Sequence, residues 1–210
     1  MPRDASDTRA RLIEAAERLF ARRGVHEATT REILEAAGQR NVSALTYHFG
    51  SREQLLWAIL DRHNDPLEVG RADRIEEPAG DMPTRELVAA LVVPYAGCLA
   101  EEDGRDYLRI VAQLSARFNT WRDPAPGTGP YLREILGILE ARPPDVAPAV
   151  RRERVVEMIM LMTVAMAERA RVIESAHRTP ELDEPTFVEN LTDVLVGVLE
   201  APVRGAVVSR

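Results

Sequence analysis

The sequence offers few groups for covalent or metal-based chemistry. It contains a single cysteine, Cys98, which excludes an internal disulfide and a cysteine-rich metal site, and we expect Cys98 to be a small buried apolar residue. The four histidines, His26, His48, His63 and His177, are scattered, and none pairs with a second histidine and a carboxylate. No Ser-His-Asp set and no phosphate-binding loop stands out. We therefore expect a protein that is not an enzyme and that needs no metal and no cofactor.

Long hydrophobic runs are also missing. The longest nearly apolar stretch is Val155 to Ala167, and Glu157 and Thr163 interrupt it. A helix that crosses a bilayer needs roughly 18 or more apolar residues. The N-terminal residues MPRDASDTRARL contain no apolar signal region. These absences predict a cytoplasmic protein without a membrane span.

The apolar residues, 45% of the chain, recur at helical spacing, and no segment alternates as a strand would between hairpin turns. We predict an all-α fold of about nine helices. Two domains are expected, an N-terminal three-helix domain over residues 1–52 and a larger helical body over residues 53–210. Within the body, Asp65-Pro66 is expected to disturb the fourth helix and Pro94 to kink the next one.

Residues 29–52 predict a helix-turn-helix. The first helix of the domain is predicted from Thr8 to Arg23 with Asp7 as its N-cap, and the second begins at Thr30 as N-cap and stops at Gly38. The third helix is predicted from Val42 to Phe49. Small and hydroxyl-bearing residues at its start would let the backbone approach a grooved surface, as a helix-turn-helix does in the DNA major groove.

The charge distribution agrees with a head that contacts DNA. The net charge of the chain is −7. Residues 1–55 contain nine Arg and eight acidic residues, whereas residues 56–210 contain eighteen Arg and twenty-six acidic residues. The predicted head is therefore the only part of the chain that is not acidic.

The last two predicted helices, at about residues 150–177 and 184–201, are the longest and most apolar. The first contains VVEMIMLMTVAMA, which is apolar nearly all round and therefore needs cover on more than one side. Together the two helices expose more apolar surface than a monomer can bury, which favours a homodimer formed through them.

The order and spacing of TRARLIEAAERLFARRG, EATTREILEAAG and LTYHFGSREQLL resemble the TetR family of transcriptional regulators. The resemblance covers roughly Thr8 to Leu60. It implies a homodimer with a DNA-binding head, a ligand pocket in the body, and last helices that pair across a two-fold axis. It also implies a regulator, usually a repressor and less often an activator, that a small apolar or amphipathic effector releases from a pseudo-palindromic DNA operator.

Ten residues are predicted to contact DNA: Thr30, Arg40, Asn41, Val42, Ser43, Ala44, Thr46, Tyr47, His48 and Arg52. We expect Thr30, Tyr47 and Arg52 to touch phosphates. The turn GQRNVSAL is one residue longer than is common in the family. Thr46 occupies a position where many members have Tyr, so a phosphate contact passes to Tyr47 or Thr46. His48 either bridges to phosphate or packs against the head.

Base contacts are predicted for the turn and the start of the third helix. Arg40 can bond bidentately to guanine and Asn41 to adenine, while Val42 and Ala44 can meet a thymine methyl. Two alternatives stay open, because Arg40 can also be a solvated turn residue and Asn41 can also be only a helix cap.

Several large side chains of the body are candidates for an apolar ligand pocket. These are Tyr95, Phe118, Trp121, Met158, Met162 and Met166. Methionine adapts to varied apolar ligands, and ligand pockets are mostly apolar with few polar groups. The alternative for each of these side chains is a place in the core or in a dimer contact.

Overall fold

The computed structural model describes residues 2–41, 43–115 and 128–203, with side chains from residue 6 onward. These residues form nine α-helices and one short 3-10 turn, which confirms the predicted all-α fold. The helices are α1 Pro2–Arg23, α2 Thr30–Ala36, α3 Ala44–Phe49, α4 Arg52–Ala72, α5 Thr84–Gly97, α6 Glu102–Leu114, α7 Pro130–Glu140, α8 Pro148–Ile173 and α9 Glu184–Glu200.

Helix α1 forms the core of the head. Its residues Leu12, Ala16 and Phe20 are fully buried because they recur on one stripe that faces α2 and α4. The helix begins at Pro2 and not at Thr8, so Asp7 lies inside it and is not its N-cap. A proline in the first turn is tolerated because its missing N–H would have no partner there.

The cap of α2 is Thr29 and not Thr30. The Thr29 hydroxyl accepts a hydrogen bond from the Glu32 amide at 3.3 Å, and the Glu32 carboxylate accepts one from the Thr29 amide at 2.9 Å. This capping box satisfies two amides at the helix start. Thr30 therefore occupies the first position of the helix.

Helix α3 is two residues shorter than predicted, because the turn before it has its own hydrogen bonds. The side-chain oxygen of Asn41 accepts from the Ser43 amide at 2.9 Å, and its carbonyl accepts from the Ala44 amide at 3.1 Å. Gly38 turns the chain out of α2 with φ of 67°, a left-handed conformation that glycine adopts without strain.

Helix α4 continues through Pro66 to Ala72, contrary to the expected disturbance. Proline removes one helical hydrogen bond, but tertiary packing holds the helix beyond it. Gly70 lies against Pro94 of α5, and a Cβ at Gly70 would come within 2.9 Å of the Pro94 Cβ. Helix α5 likewise runs unbroken through Pro94. The last two turns of α4 thus belong to the body.

The body is a stack of helices around α8. Helix α6 packs between α8 and α1, so it links body and head, while α9 covers α5 and α8. Helix α4 contacts both α1 and α3 of the head and α5, α6 and α7 of the body. The division at residue 52 stays a prediction, since α4 serves both parts. No helix in the described ranges is long and apolar enough to cross a membrane.

A charged cluster is buried where α6 meets α8. Asp106 is 1% exposed and receives a hydrogen bond of 2.8 Å from Arg109, which also reaches Glu174. The second carboxylate oxygen of Asp106 has no partner among the described residues. Burial raises the pKa of Asp106 to about 6, although the Arg109 charge opposes that rise.

Asp106→Asn is expected to stabilise the protein increasingly as pH rises. The raised pKa means that wild-type folding loses stability as pH increases from the unfolded value of 3.8 to about 6. The gain of the Asn variant over wild type should therefore grow by about 1–2 kcal/mol between pH 4.5 and pH 7.5. Urea unfolding at both pH values measures the difference, and a gap that stays constant or shrinks would contradict the prediction.

Candidate DNA-binding surface and ligand cavity

The turn and α3 present a polar, exposed surface at one end of the molecule. Arg40, Asn41, Ser43, Thr46 and Tyr47 are all exposed. The Tyr47 side chain is 79% exposed, so most of its ring is open to solvent. Such a surface is free to touch a phosphate or a base edge.

His48 is half-buried next to this surface. Its ring packs edge-on against that of Tyr47 at 5.0 Å and tilted against that of Phe49 at 6.4 Å. Phe49 is in the core of the head. His48 therefore connects the exposed ring of Tyr47 to the head core, which is the packing alternative left open for it.

Two predicted base contacts are altered by the structure. Ala44 is only 7% exposed, so its methyl group faces the head core and cannot reach a thymine methyl; it leaves the base-reading set. Asn41 uses its side-chain oxygen to cap the turn, so a bidentate contact with adenine would require that bond to break. Val42 lies outside the described residues.

The start of α2 offers a second polar edge. Thr30 is half-buried at the first helical position, and Arg31 beside it is exposed. Free amides and a cation at a helix start favour an anion. Sequence reasoning missed Arg31 because it took Thr30 for the cap and counted Arg31 only as a helix residue.

Arg52 is placed differently from the predicted phosphate contact. Its guanidinium donates to the carbonyl oxygens of Val25 and Ala28, the latter at 2.9 Å, and lies 4.8 Å from the centre of the Phe20 ring. These bonds close the α1–α2 turn against α4. Arg52 holds the head together from inside, which no local sequence pattern reveals because its partners are backbone atoms 24 and 27 residues away.

Gln113 of α6 connects the body to the same turn of the head. Its side-chain amide donates to the Phe20 carbonyl at 3.0 Å and its oxygen accepts from the Val25 amide at 2.7 Å. A movement of the C-terminal end of α6 would thus act directly on the end of α1 and on the turn before α2.

A cavity of about 500 Å³ lies beside this connection. Val25, His26, Arg52 and Glu53 border it on the side of the head, and α4 to α8 together with Ser115 and Thr128 supply the rest of its lining. The apolar part of the lining is formed by Leu56, Trp57, Leu60, Leu91, Val111, Leu114, Leu132, Leu136, Ile159 and Met162. Its size and mostly apolar walls are those of a small-molecule site.

Two of the predicted pocket residues, Tyr95 and Met162, line this cavity. Met158 and Met166 do not; both are completely buried in the core and leave no side-chain surface for a ligand. Phe118 and Trp121 lie outside the described residues. No cluster of His, Cys and acidic side chains in the described part of the chain could hold a metal ion.

The polar side chains of the cavity were not predicted. Asn64, Arg71 and Tyr107 line it together with Tyr95. Asn64 and Arg71 continue the stripe of Leu56 and Leu60 at helical spacing along α4. Polar residues on this otherwise apolar stripe were the sequence signal that could have indicated cavity-lining side chains. It was missed because Pro66 was expected to disturb the helix before Arg71.

The outer side of α8 and α9 exposes apolar side chains. Met160, Leu161 and Val164 of α8 are 38%, 38% and 51% exposed, and Val194 of α9 is 44% exposed. We call these four residues the outer face. Apolar residues exposed on two adjacent helices are a candidate protein–protein interface.

Comparison with known proteins identifies the head. Residues 12–59 match the family model described as bacterial regulatory proteins, tetR family. Residues 12–59 therefore form a TetR-type DNA-binding segment. The matched residues run from α1 into α4 and include the turn and α3, so the family assignment rests on the same residues that form the exposed polar surface.

Curated relatives align with about a third of this chain. The transcriptional regulator TtgR of Pseudomonas putida is 40% identical over 75 residues, which are 35% of this chain and 35% of TtgR. The regulator SrpR, also of Pseudomonas putida, is 36% identical over 66 residues, 31% of this chain and 30% of SrpR. The alignments thus span about a third of the length of these relatives.

Solved structures show a similar fold over more than nine-tenths of this chain. A TetR-like transcriptional regulator from Rhodococcus sp. RHA1 superposes with a TM-score of 0.57 at 14% identity, covering 93% of this chain and 97% of the other. NalD, a repressor of a multidrug efflux pump in Pseudomonas aeruginosa, gives 0.56 at 21% identity, with coverage of 92% and 96%. At these identities the match establishes the helical arrangement. The relatives that match this chain are transcriptional regulators, which is the class of protein that the sequence predicts.

Proposed function

We propose that this protein is a DNA-binding transcriptional regulator, acting as a repressor, whose homodimer leaves a pseudo-palindromic operator when a small molecule occupies the body. The exposed polar surface of the turn and α3, on a head that matches the TetR DNA-binding domain, supports the DNA-binding part of this proposal most directly. The other parts rest on the outer face and on the cavity.

Contacts on DNA divide into those that position the head and those that read bases. Tyr47, Thr46, Thr30 and Arg31 are proposed to touch phosphates. Arg40 and Ser43 are proposed to read base edges together with Val42. Asn41 would contribute only if the hydrogen bond between its side-chain oxygen and the Ser43 amide breaks. Two heads related by two-fold symmetry would read half-sites about one helical turn apart or a multiple of it, and selected sites without an inverted repeat would contradict the dimeric model.

Arg40→Ala and Tyr47→Ala are expected to weaken DNA binding in different ways. Loss of Arg40 should cost about 1–3 kcal/mol on a duplex selected from a random pool and little on a scrambled one, because a base contact is lost. Loss of Tyr47 should weaken both duplexes by similar factors. Fluorescence anisotropy titrations on the two duplexes make the comparison.

The folded state serves as the control for both variants. Each side chain is exposed, so thermal unfolding should stay within about 0.5 kcal/mol of wild type. An equal loss on both duplexes for Arg40→Ala would remove its base-reading role. Full retention of binding by both variants would remove this surface as the DNA-binding site.

The outer face supports a homodimer through α8 and α9. Isologous pairing places the same apolar patch of each protomer against the other, which would cover Val164 and Val194 in one interface. A dimer also provides the two heads that a pseudo-palindromic operator requires.

The cavity supports regulation by a small molecule. It borders Val25, and Val25 is bound both by Arg52 within the head and by Gln113 of the body. A ligand that fits one arrangement of α6 and the turn better than another would change the spacing of the two heads. It could weaken DNA binding only by the difference of its affinities for the two arrangements.

A further inference from the structure

We propose that the cavity takes an amphipathic acid: a molecule with an apolar body and one anionic oxygen group, received by the Arg71 guanidinium and the Tyr95 hydroxyl. This inference rests on the proposed role of the body as an effector-binding domain. It specifies the ligand class that four of the polar residues lining the cavity, Asn64, Arg71, Tyr95 and Tyr107, would select. We call these four residues the polar cluster.

The polar cluster contains hydrogen-bond donors that the protein does not use. The hydroxyl of Tyr95 and the Nε atom of Arg71 are buried and have no partner among the described residues. Both side chains are more than nine-tenths buried and line the cavity. A buried donor without a partner is unfavourable, so a ligand that supplies an acceptor gains hydrogen bonds that the protein itself does not make.

The neighbouring tyrosine, Tyr107, differs from Tyr95 because its hydroxyl already has a hydrogen-bond partner. The hydroxyl of Tyr107 donates to the side-chain oxygen of Asn64 at 3.2 Å, and its ring lies 6.2 Å from that of Tyr95. Burial raises the pKa of both tyrosines, and the nearby Arg71 charge partly opposes the rise. Both phenols therefore stay protonated, and Tyr95 keeps a proton to donate.

The charge at the cluster favours an anion. Arg71 is the only buried charged residue among the described residues that line the cavity. Its partner Glu68, at 2.6 Å, also accepts hydrogen bonds from the amides of Tyr131 at 2.8 Å and Leu132 at 3.3 Å. Because Glu68 divides its negative charge between Arg71 and the start of α7, the positive charge of Arg71 is only partly balanced.

The same arrangement disfavours a cationic ligand, which would lie next to the positive charge of Arg71. A neutral apolar molecule would fill the cavity and leave the Tyr95 and Arg71 donors unpaired. An acid satisfies both donors and places its apolar body against Trp57, Leu91, Val111 and Met162.

Calorimetric titration with two probes of the same shape tests the inference. The probes are biphenyl-4-carboxylate and its neutral counterpart biphenyl-4-ylmethanol. Wild-type protein is expected to bind the carboxylate at least about tenfold more tightly, which corresponds to one additional charge-assisted hydrogen bond. Tyr95→Phe and Arg71→Met should each reduce that preference severalfold.

Tyr107→Phe is the matched control. It removes a hydroxyl that is already bonded to Asn64, so it should lower the melting temperature and keep the preference for the carboxylate. Tyr95→Phe should keep or raise the melting temperature, because no protein hydrogen bond is lost. This variant keeps the test decisive if Arg71→Met fails to fold.

Equal affinities of wild type for the two probes would overturn the inference, as would a preference that survives both Tyr95→Phe and Arg71→Met. Absence of binding by either probe would overturn it too, while DNA binding measured in parallel would stay as proposed. If the carboxylate binds with the expected preference and the selected duplex is not released, the acid site stands and the proposed release mechanism fails.

Discussion

Val164→Glu is expected to separate the dimer into monomers and to reduce operator affinity by about two orders of magnitude. Val164 is 51% exposed on α8, so the monomer tolerates the carboxylate. Across a two-fold axis the substitution appears twice and buries two like charges in one apolar interface. The affinity falls because two linked heads bind with a high effective concentration that separate heads lack. Sedimentation velocity and operator titration measure the two effects.

Val69→Glu is the matched control for this experiment. Val69 is 61% exposed and belongs to α4, whereas the outer face is formed by α8 and α9. The same substitution at Val69 should therefore leave the dimer and its DNA binding intact. Val164→Glu protein that still sediments as a dimer, or that binds the operator like wild type, would contradict the proposed interface.

Arg52→Ala is expected to destabilise the protein by about 2–4 kcal/mol. The loss combines two charge-assisted hydrogen bonds to the carbonyls of Val25 and Ala28 with the contact to the Phe20 ring, and it leaves buried carbonyls without these donors. Operator affinity should fall because the head is folded less of the time. Urea unfolding gives the stability, and operator titration over a salt series gives the binding.

The salt series separates this role from the phosphate contact that the sequence predicts for Arg52. A lost phosphate contact would flatten the salt slope by about one unit and leave stability unchanged. A lost internal bond would lower the free energy of unfolding. It would leave the salt dependence of the DNA affinity unchanged for the protein molecules that are folded. Arg40→Ala, at an exposed position, controls for the removal of an arginine from the head surface.

The head shows how far local patterns lead. Apolar spacing, caps and glycines predicted the helices α1 to α4, because each depends on neighbours in the chain. Their bounds were less accurate, since α1 begins six residues before its predicted start and α4 continues beyond Pro66. The cap of α2 is Thr29 and not the predicted Thr30. Threonine can cap a helix at either position, and only the hydrogen bonds between Thr29 and Glu32 distinguish the two. Ala44 was assigned to the DNA surface from residue type alone, whereas packing turns its side chain into the core.

The body shows where local patterns fail. Pro66 was expected to disturb its helix because proline costs a helical hydrogen bond, yet the contact of Gly70 with Pro94 holds α4 in place beyond it. That continuation brings Arg71 to the cavity. Met158 and Met166 resembled pocket residues by type, but only Met162 of the three faces the cavity.

The sequence by itself determined the helical fold, the helix-turn-helix and the apolar character of the last two helices, since these follow from periodicity and capping over short distances along the chain. The tertiary structure decided which side chains face DNA, core, cavity or solvent. It turned Arg52 from a predicted phosphate contact into an internal bond to Val25 and Ala28. It also assembled the polar cluster from residues of α4, α5 and α6. The physical reason is that burial and hydrogen-bond partners far apart in sequence depend on how whole helices pack, and no local pattern records that packing.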